Sequence, residues 1–248
     1  MEIQHNQIYN EDCLQFMKQL PDKYFDLIIT DPPYGIDVCK TGKVGIKGAS
    51  KPKEYGVCEW DNSIPTEECF KEMLRVSKNQ IIFGGNYMTK YLNPSSCWIV
   101  WDKDNQDSFF ADCELAWTSF DKAVRKFKYR WWGMLQENMN WKEKREHPTQ
   151  KPVPLGRWIL EKFAKEGDLI FDPFAGSGSF LVACKQKGFK FVGCEINKDY
   201  VEITKRRLAQ GSVADFTQPN GCPDGSFNSD LKEVSDETSH IVATQQHL

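Results

Sequence analysis

The feature of this sequence that most constrains its fold is a regular alternation of short apolar runs with longer amphipathic segments. The run FDLIIT at 25–30 is almost continuously apolar and leads into Asp31 and two prolines, which predicts a buried strand followed by a rigid loop. A helix at 66–78 and a strand at 80–85 are predicted next, because apolar residues recur first at helical spacing and then in one run. Two further strands are predicted, at 97–103 and 112–118.

The second half of the chain continues this alternation. Helices are predicted at 154–167, 179–188 and 198–211. Gly167 is the predicted C-cap of the first of them. A strand that runs into a glycine turn is predicted at 169–179, and another strand at 190–196. Together these elements predict an α/β fold with a mostly parallel sheet, helices on both faces and ligand sites beyond the carboxyl ends of the strands.

Length and composition predict a soluble protein of the cytoplasm. The 248 residues suffice for one sizeable core, and 40% hydrophobic and 27% charged residues are ordinary for a globular domain. No apolar run is long enough for a membrane span, and the first residues lack the pattern of a signal peptide. The nine cysteines form no CxxC pair, which predicts reduced thiols and no structural metal.

Charge and composition divide the chain into a catalytic domain at 1–211 and a tail at 212–248. The tail has six acidic residues and one basic residue, and its polar composition predicts a flexible segment. A short packed strand near Ile241 and Val242 is the alternative. Since the whole chain carries −3 and the tail −5, the remaining residues carry +2. A net negative chain charge therefore does not argue against nucleic-acid binding, which depends on where positive charge is concentrated.

The glycine turn has the composition of a nucleoside site. Small residues between Asp172 and Ser179 allow a ligand to approach backbone amides at the start of a helix. Leu181 stands where a dinucleotide site would have its third glycine, which disfavours a nicotinamide enzyme. Glu195 ends the next predicted strand, where an acidic side chain accepts hydrogen bonds from ribose hydroxyls. The alternative is an ordinary glycine turn beside a surface glutamate.

The residues Asp31-Pro32-Pro33-Tyr34 predict a site for a planar amino group. The two prolines remove amide donors, so the Asp31 carboxylate and the Pro32 carbonyl remain as acceptors. An NH₂ group satisfies both acceptors, and Tyr34 can stack on the attached base, a contact worth about 1–3 kcal/mol. The alternative is a strand that ends in a Pro-Pro turn with a partly buried tyrosine.

These two motifs resemble the catalytic and cofactor signatures of the amino-directed DNA methyltransferases. The catalytic motif precedes the cofactor motif, as in the beta group of that family, and the run HPTQKP at 147–152 is similar to that group's third signature. The resemblance covers residues 8–210 and leaves the tail outside it. It implies a Rossmann-like S-adenosylmethionine-dependent methyltransferase fold, circularly permuted, with a mostly parallel seven-stranded sheet.

The resemblance also implies a reaction and its residues. The methyl group of S-adenosyl-L-methionine passes by direct in-line attack to adenine N6 of double-stranded DNA, on a base flipped out of the duplex. The implied catalytic residues are Asp31, Pro32, Pro33 and Tyr34. The implied cofactor-binding residues are Asp12, Thr149, Lys151, Asp172, Pro173, Phe174, Ala175, Gly176, Gly178 and Glu195. A helix N-cap is an equally good interpretation of Asp12.

Two short segments, 35–63 and 119–147, are the candidates for DNA recognition. In the second, Lys126, Lys128 and Arg130 alternate with aromatic residues, a mixture suited to phosphate contact and base stacking. A solvated basic face with packed tryptophans is the alternative for 119–147, and a plain flexible loop is the alternative for 35–63.

Other functions remain open at the level of sequence. Cytosine N4 presents a similar amino group, RNA or a protein amide would fit a similar pocket, and a non-catalytic DNA-binding relative is a further class. A cognate restriction endonuclease is an expected partner if the enzyme belongs to a restriction-modification system. The sequence is compatible with a monomer or a homodimer.

Overall fold

The computed structural model describes residues 3–36, 43–44, 53–54, 62–105, 111–132, 135–140, 142–147 and 149–210. These residues fall within one compact unit, Met1–Phe216. The predictions for the tail and for most of segment 35–63 lie outside the described residues.

The structure contains the strands and helices that the sequence predicted, and it adds further strands. The strands are β1 (Gln7–Tyr9), β2 (Phe25–Thr30), β3 (Lys43–Val44), β4 (Lys53–Glu54), β5 (Ser77–Phe83), β6 (Trp98–Asp102), β7 (Cys113–Thr118), β8 (Arg125–Lys128), β9 (Trp131–Trp132), β10 (Leu135–Gln136), β11 (Leu169–Asp172) and β12 (Lys190–Cys194). The helices are α1 (Cys13–Lys18), α2 (Glu67–Val76), α3 (Val153–Phe163), α4 (Ser179–Lys187) and α5 (Lys198–Ala209), with a 3-10 turn at Gly85–Tyr87. The strands β1, β3, β4, β8, β9 and β10 were not predicted.

Eight of these strands form one sheet, in the order β1-β12-β11-β2-β5-β7-β6-β8. Pairing is parallel from β1 to β5 and between β6 and β8, and it is antiparallel where β7 joins β5 and β6. The mostly parallel α/β sheet is confirmed. The expected seven strands become eight because Arg125–Lys128, in a segment assigned to recognition, pairs with β6.

Apolar residues cover both faces of the sheet, which explains the continuous apolar character of β2. Leu27 and Ile29 pack with α3 and α4 on one face, whereas Phe25 and Ile28 pack with α1 and α2 on the other. Successive side chains of a strand point to opposite faces, so a strand with helices on both sides has no polar face.

The predicted C-cap of α3 is wrong. The helix ends at Phe163, and Ala164 is its C-cap, with an extended backbone at φ −96° and ψ 158°. Gly167, at φ +88°, lies in the next turn. Asp168 closes that turn, since its carboxylate accepts a hydrogen bond from Lys165 N over 2.8 Å.

The carboxyl ends of three neighbouring parallel strands bring the predicted motifs together. Strands β12, β11 and β2 lie side by side and run in one direction. The residues after them are Glu195, the loop Pro173–Gly178 and the loop Asp31–Tyr34, so all three occupy one edge of the sheet. None of the helices in the described ranges has the length and apolar character needed to cross a membrane.

Candidate active site

The two motif loops are joined at their bases. Thr30, the last residue of β2, donates a hydrogen bond through Oγ1 to Asp172 Oδ1 over 2.8 Å. The same Asp172 oxygen accepts the amide of Phe174 at 3.2 Å. Asp172 is 1% exposed and lies beneath the glycine loop. Burial raises its pKa to about 8, against the two hydrogen bonds that favour the charged form.

The glycine loop is held open above this base. Gly176 has φ +52°, and among the described residues a Cβ atom there would meet only the His147 ring, at 3.9 Å, so this part of the chain leaves the space above Gly176 free. Gly178 has φ +76°, and a Cβ atom there would come within 2.4 Å of Thr204 Cγ2. Gly178 therefore serves close packing of α4 on α5, whereas Gly176 serves access to the loop.

Three further residues of this loop, Pro173, Phe174 and Ala175, were also predicted to bind the cofactor. Pro173 and Ala175 are buried, and Phe174 is half-buried against the α1 and α2 side of the core. Ala175 N donates to Cys194 O over 2.9 Å, which ties the loop to the end of β12.

Glu195 lies beside the glycine loop as predicted. Its Oε2 atom accepts the amide of Gly176 at 2.8 Å, and Oε1 accepts the amide of Asn197 at 2.8 Å. Burial raises the pKa of this carboxyl, although the backbone hydrogen bonds favour its ionised form. Each oxygen keeps a second lone pair that a ligand hydroxyl can use.

Asp12 is the N-cap of α1. Its Oδ1 atom accepts the amide of Gln15 at 3.0 Å, so the helix-cap interpretation is confirmed. The neighbouring Asn10 donates to the carbonyls of Glu195 and Ile196, both at 2.9 Å. These bonds place the start of α1 next to Glu195.

The Asp31 carboxylate is surrounded by donors. Tyr34 OH donates to Oδ1 over 2.6 Å, and Lys151 Nζ donates to Oδ2 over 2.5 Å. Burial raises the pKa of Asp31, and the Lys151 charge opposes the increase. Pro32 is buried and Pro33 is half-buried beside it. The ammonium of Lys151, a predicted cofactor-binding residue, thus lies on the carboxylate of Asp31, the predicted catalytic residue.

Tyr34 is packed between other residues of the same edge. Its ring stacks on that of Tyr87, with centroids 5.1 Å apart and an interplanar angle of 20°. Gly84 lies against the ring so closely that a Cβ atom there would come within 2.2 Å of Tyr34 Cε1. Tyr87 is 49% exposed, so the aromatic surface at this edge continues from Tyr34 outward.

The 147–152 run lies between the two loops. Thr149 bonds through its amide to His147 Nδ1 at 3.2 Å, and Gln150 Oε1 accepts from Ser177 Oγ at 3.3 Å. Burial, followed by the Lys151 charge, lowers the pKa of His147 to about 3, so this imidazole is neutral near pH 7. The run thus contacts the glycine loop and delivers Lys151 to Asp31.

Sequence reasoning missed two charged residues of the site, Glu114 and Lys103. Glu114 lies on β7, with Oε2 at 2.9 Å from Lys151 Nζ and Oε1 at 2.5 Å from Lys103 Nζ. The two lysines outweigh the effect of burial and lower the pKa of Glu114 to about 2. A glutamate within an apolar strand was the available signal, because strand charges that face a core need partners.

The predicted DNA-binding residues lie at the same sheet edge as Asp31, since β8 runs in the direction of β2. Each is exposed but paired: Lys126 with Asp102 at 3.3 Å, Lys128 and Arg130 with Asp104 at 2.8 and 2.5 Å. The neighbouring Trp131 is buried and donates to Gln150 O at 2.9 Å, so it is not available for base stacking.

The described cysteines are free thiols, and five of the six are buried. Within the described ranges, no group of three or more His, Cys, Asp or Glu side chains is arranged to hold a metal ion.

Known proteins with similar sequences point to the same family as the motifs. A model of the N6/N4 DNA methylases, described as DNA methylase, matches residues 114–206, which include Lys151, the glycine loop and Glu195. The type II methyltransferase M.HpaI of Haemophilus parainfluenzae is 28% identical over 233 residues, which cover 79% of this chain and 72% of that protein. These similarities support an amino-directed DNA methyltransferase, as the motifs predicted.

Solved structures show the same fold as this methyltransferase. The M1.HpyAVI–SAM complex is 24% identical with a TM-score of 0.50, over 81% of this chain and 98% of the other. The PvuII DNA methyltransferase, named as cytosine-N4-specific, is 14% identical with a TM-score of 0.51, over 87% of each chain. The Rossmann-like methyltransferase fold is thereby confirmed.

Proposed function

We propose that this methyltransferase transfers the methyl group of S-adenosyl-L-methionine to adenine N6 in double-stranded DNA, at a specific sequence. The observation that carries the proposal is the position of Asp31, a carboxylate with a side chain only 16% exposed that is followed by Pro32, at the sheet edge that also holds the open glycine loop. An acceptor pair for an amino group and a nucleoside loop therefore face one space.

The residues of this edge fit the proposed cofactor. S-adenosyl-L-methionine, when bound, supplies a methyl group activated by a sulfonium centre. The free space above Gly176 leaves room for the cofactor, and the remaining lone pairs of Glu195 suit ribose hydroxyls. Asp12 is adjacent to Glu195 through Asn10 and is the proposed contact to the adenine of the cofactor. The M1.HpyAVI neighbour, solved as a SAM complex, supports this choice.

Asp31 and the Pro32 carbonyl orient the target amino group in this mechanism. They accept its two hydrogens, which directs the nitrogen lone pair toward the methyl donor. The N–CH₃ bond forms as the S–CH₃ bond breaks, and the electron pair of that bond stays on sulfur. The nitrogen then loses one proton, which Asp31 accepts. The target base is flipped out of the duplex, because a paired amino group is inaccessible to the donor.

The identity of the target base, adenine and not cytosine, is the most specific part of the proposal. Asp at the first position of Asp31-Pro32-Pro33-Tyr34 favours adenine by resemblance, whereas the PvuII neighbour is named as acting on cytosine N4. Both bases offer an exocyclic amino group to the same acceptors, so cytosine N4 is the second candidate. The motif order supports the permuted beta group. The similarity of this chain to the type II methyltransferase M.HpaI supports a restriction-modification role with a partner endonuclease.

The test is transfer of labelled methyl groups to duplex DNA, followed by nucleoside analysis. Wild type is compared with Asp31→Ala and with Asp22→Ala, whose side chain is exposed at the surface. We expect N6-methyladenine from wild type and from Asp22→Ala, and loss of transfer in Asp31→Ala. Recovery of N4-methylcytosine would support the same mechanism with cytosine as the target base. Cofactor binding without transfer to DNA of diverse sequence would contradict the proposal.

A further inference from the structure

Four charged side chains form a continuous row that ends at the catalytic carboxylate. Lys103 Nζ lies 2.5 Å from Glu114 Oε1, Glu114 Oε2 lies 2.9 Å from Lys151 Nζ, and Lys151 Nζ lies 2.5 Å from Asp31 Oδ2. Charges alternate along the row and sum to zero. Lys103 and Glu114 come from β6, β7 and the residues next to them, not from either motif loop.

Both carboxylate oxygens of Asp31 already accept a hydrogen bond. Tyr34 OH donates to Oδ1 and Lys151 Nζ donates to Oδ2. An incoming amino group must share these oxygens or displace one donor. Tyr34 is bonded at 2.6 Å within its own loop, whereas Lys151 already contacts a second carboxylate.

Glu114 is suited to hold a displaced ammonium. The side chain of Lys151 is only 5% exposed, so its charge cannot move to water without a large rearrangement. Within the part of the chain that the structure describes, the Lys151 ion pair is the polar contact of the buried Glu114 Oε2 atom. Lys103 keeps Glu114 ionised from the other side.

We propose that Glu114 is a positioning residue for methyl transfer: it retains the Lys151 ammonium when the target amino group displaces it from Asp31 Oδ2. Asp31 Oδ2 is then free to accept the amino hydrogen, while the lysine charge stays compensated by Glu114. This inference rests on the proposed function, since it assigns the same role to Asp31.

Other titratable groups face the row but do not replace Glu114. His147, on the Lys151 side, is neutral near pH 7 because burial and the Lys151 charge lower its pKa. Tyr34 stays a protonated phenol at the aromatic side, where burial raises its pKa well above the usual value. Asp172 lies beneath Asp31 and is bonded to Thr30.

Glu114→Gln is the direct test, with Asp26→Asn as the matched control. Asp26 is 24% exposed on the same sheet and pairs with Lys78, whereas Glu114 is 22% exposed. Single-turnover methyl transfer to duplex DNA is measured from pH 5.5 to 9.5, together with cofactor affinity and the thermal midpoint. We expect Glu114→Gln to slow transfer by about tenfold to a hundredfold, with cofactor affinity retained.

The pH profile separates positioning from a structural role. The negative charge of Glu114 raises the pKa of Asp31, so its removal should move the acidic limb of the transfer rate to lower pH. Glu114→Asp keeps the charge and should restore part of the rate, with the limb near that of wild type. An unchanged rate in Glu114→Gln overturns the inference. A slower rate with an unmoved limb and losses matching Asp26→Asn also overturns it.

Asp31→Ala, measured in parallel, distinguishes failure of the proposed function from failure of the proposed role of Glu114. An active Asp31→Ala enzyme would refute the proposed function itself. An inactive Asp31→Ala enzyme with a fully active Glu114→Gln enzyme would refute only the role of Glu114.

Discussion

Thr30 Oγ1 donates a hydrogen bond to Asp172 Oδ1 over 2.8 Å, which joins the last residues of two neighbouring parallel strands. Both side chains are buried. Asp31 directly follows one strand and the glycine loop follows the other. The bond therefore fixes, from below, the separation of the loop Asp31–Tyr34 and the glycine loop Pro173–Gly178.

Asp172→Asn should keep this connection, whereas Asp172→Ala should break it. The amide oxygen of asparagine can accept from both Thr30 and Phe174, which use the same Oδ1 atom. Alanine leaves two buried donors unsatisfied, so we expect its free energy of unfolding to fall by about 1–3 kcal/mol. Urea unfolding of both variants measures the difference. Equal losses in the two variants would contradict the role of the hydrogen bonds.

The buried carboxyl of Asp172 also predicts that the stability of the protein depends on pH. The Asp172 pKa is raised from 3.8 to about 8, so the folded state holds a proton that the unfolded state releases. Stability therefore falls as pH rises between these two values and is not penalised below the lower one. Asp172→Asn cannot ionise, so its stability relative to wild type should increase from pH 4 to pH 8. A constant difference across this range would refute the assignment.

Gly178→Ala should destabilise the protein more than Gly167→Ala. Both residues have positive φ, and forcing alanine into that conformation costs about 1–3 kcal/mol. At Gly167 a Cβ atom meets no described residue within 4 Å, whereas at Gly178 it lies 2.4 Å from Thr204 Cγ2. Chemical denaturation and cofactor titration of both variants give the comparison. We expect weaker cofactor binding only in Gly178→Ala, and similar effects in both would exclude crowding as the cause.

Arg207→Ala should destabilise the protein strongly, whereas Arg206→Ala should not. Arg207 is 9% exposed and donates to Ser177 O at 2.5 Å and to Glu143 Oε1 at 2.5 Å. Its removal leaves a buried carboxylate without its cation, at a cost of about 3–5 kcal/mol. The adjacent Arg206 is 53% exposed, and its ion pair with Glu146 is worth about 0–1 kcal/mol. Thermal and urea unfolding distinguish the two, and equal stability would refute the network.

Lys128→Ala should weaken DNA binding, with Lys78→Ala as its control. Both lysines are nearly equally exposed, at 59% and 58%, and each pairs with an aspartate. Only Lys128 lies at the sheet edge of Asp31. Loss of one phosphate contact lowers the slope of log affinity against log salt by about 0.9. Asp104→Asn should have the opposite effect, because it releases Lys128 and Arg130 from their ion pairs. Identical salt slopes in all variants would show that the DNA does not bind next to Lys128.

The sequence determined the strands and helices that carry the two motifs. Strand β2 was predicted with its observed bounds, because an apolar run ended by two prolines has one favourable arrangement in a two-sided sheet. The glycine loop was identified for a similar reason, since small residues between a strand and a helix are needed for positive φ and close approach. Such signals are local in the chain and can be read without knowing the fold.

Only the tertiary structure decided which charges meet. Glu114 and Lys103 are far from the motif loops in sequence, and strand pairing of β5, β7 and β6 brings them to Lys151 and thus to Asp31. Pairing also neutralised the predicted DNA-binding cations, because β8 lies beside Asp102 at the end of β6 and Asp104 just after it. A strand residue's neighbours depend on strand order and register, which no local pattern specifies. The sequence therefore fixes which residues carry the chemistry, whereas the assembled sheet fixes the partners that set their charge.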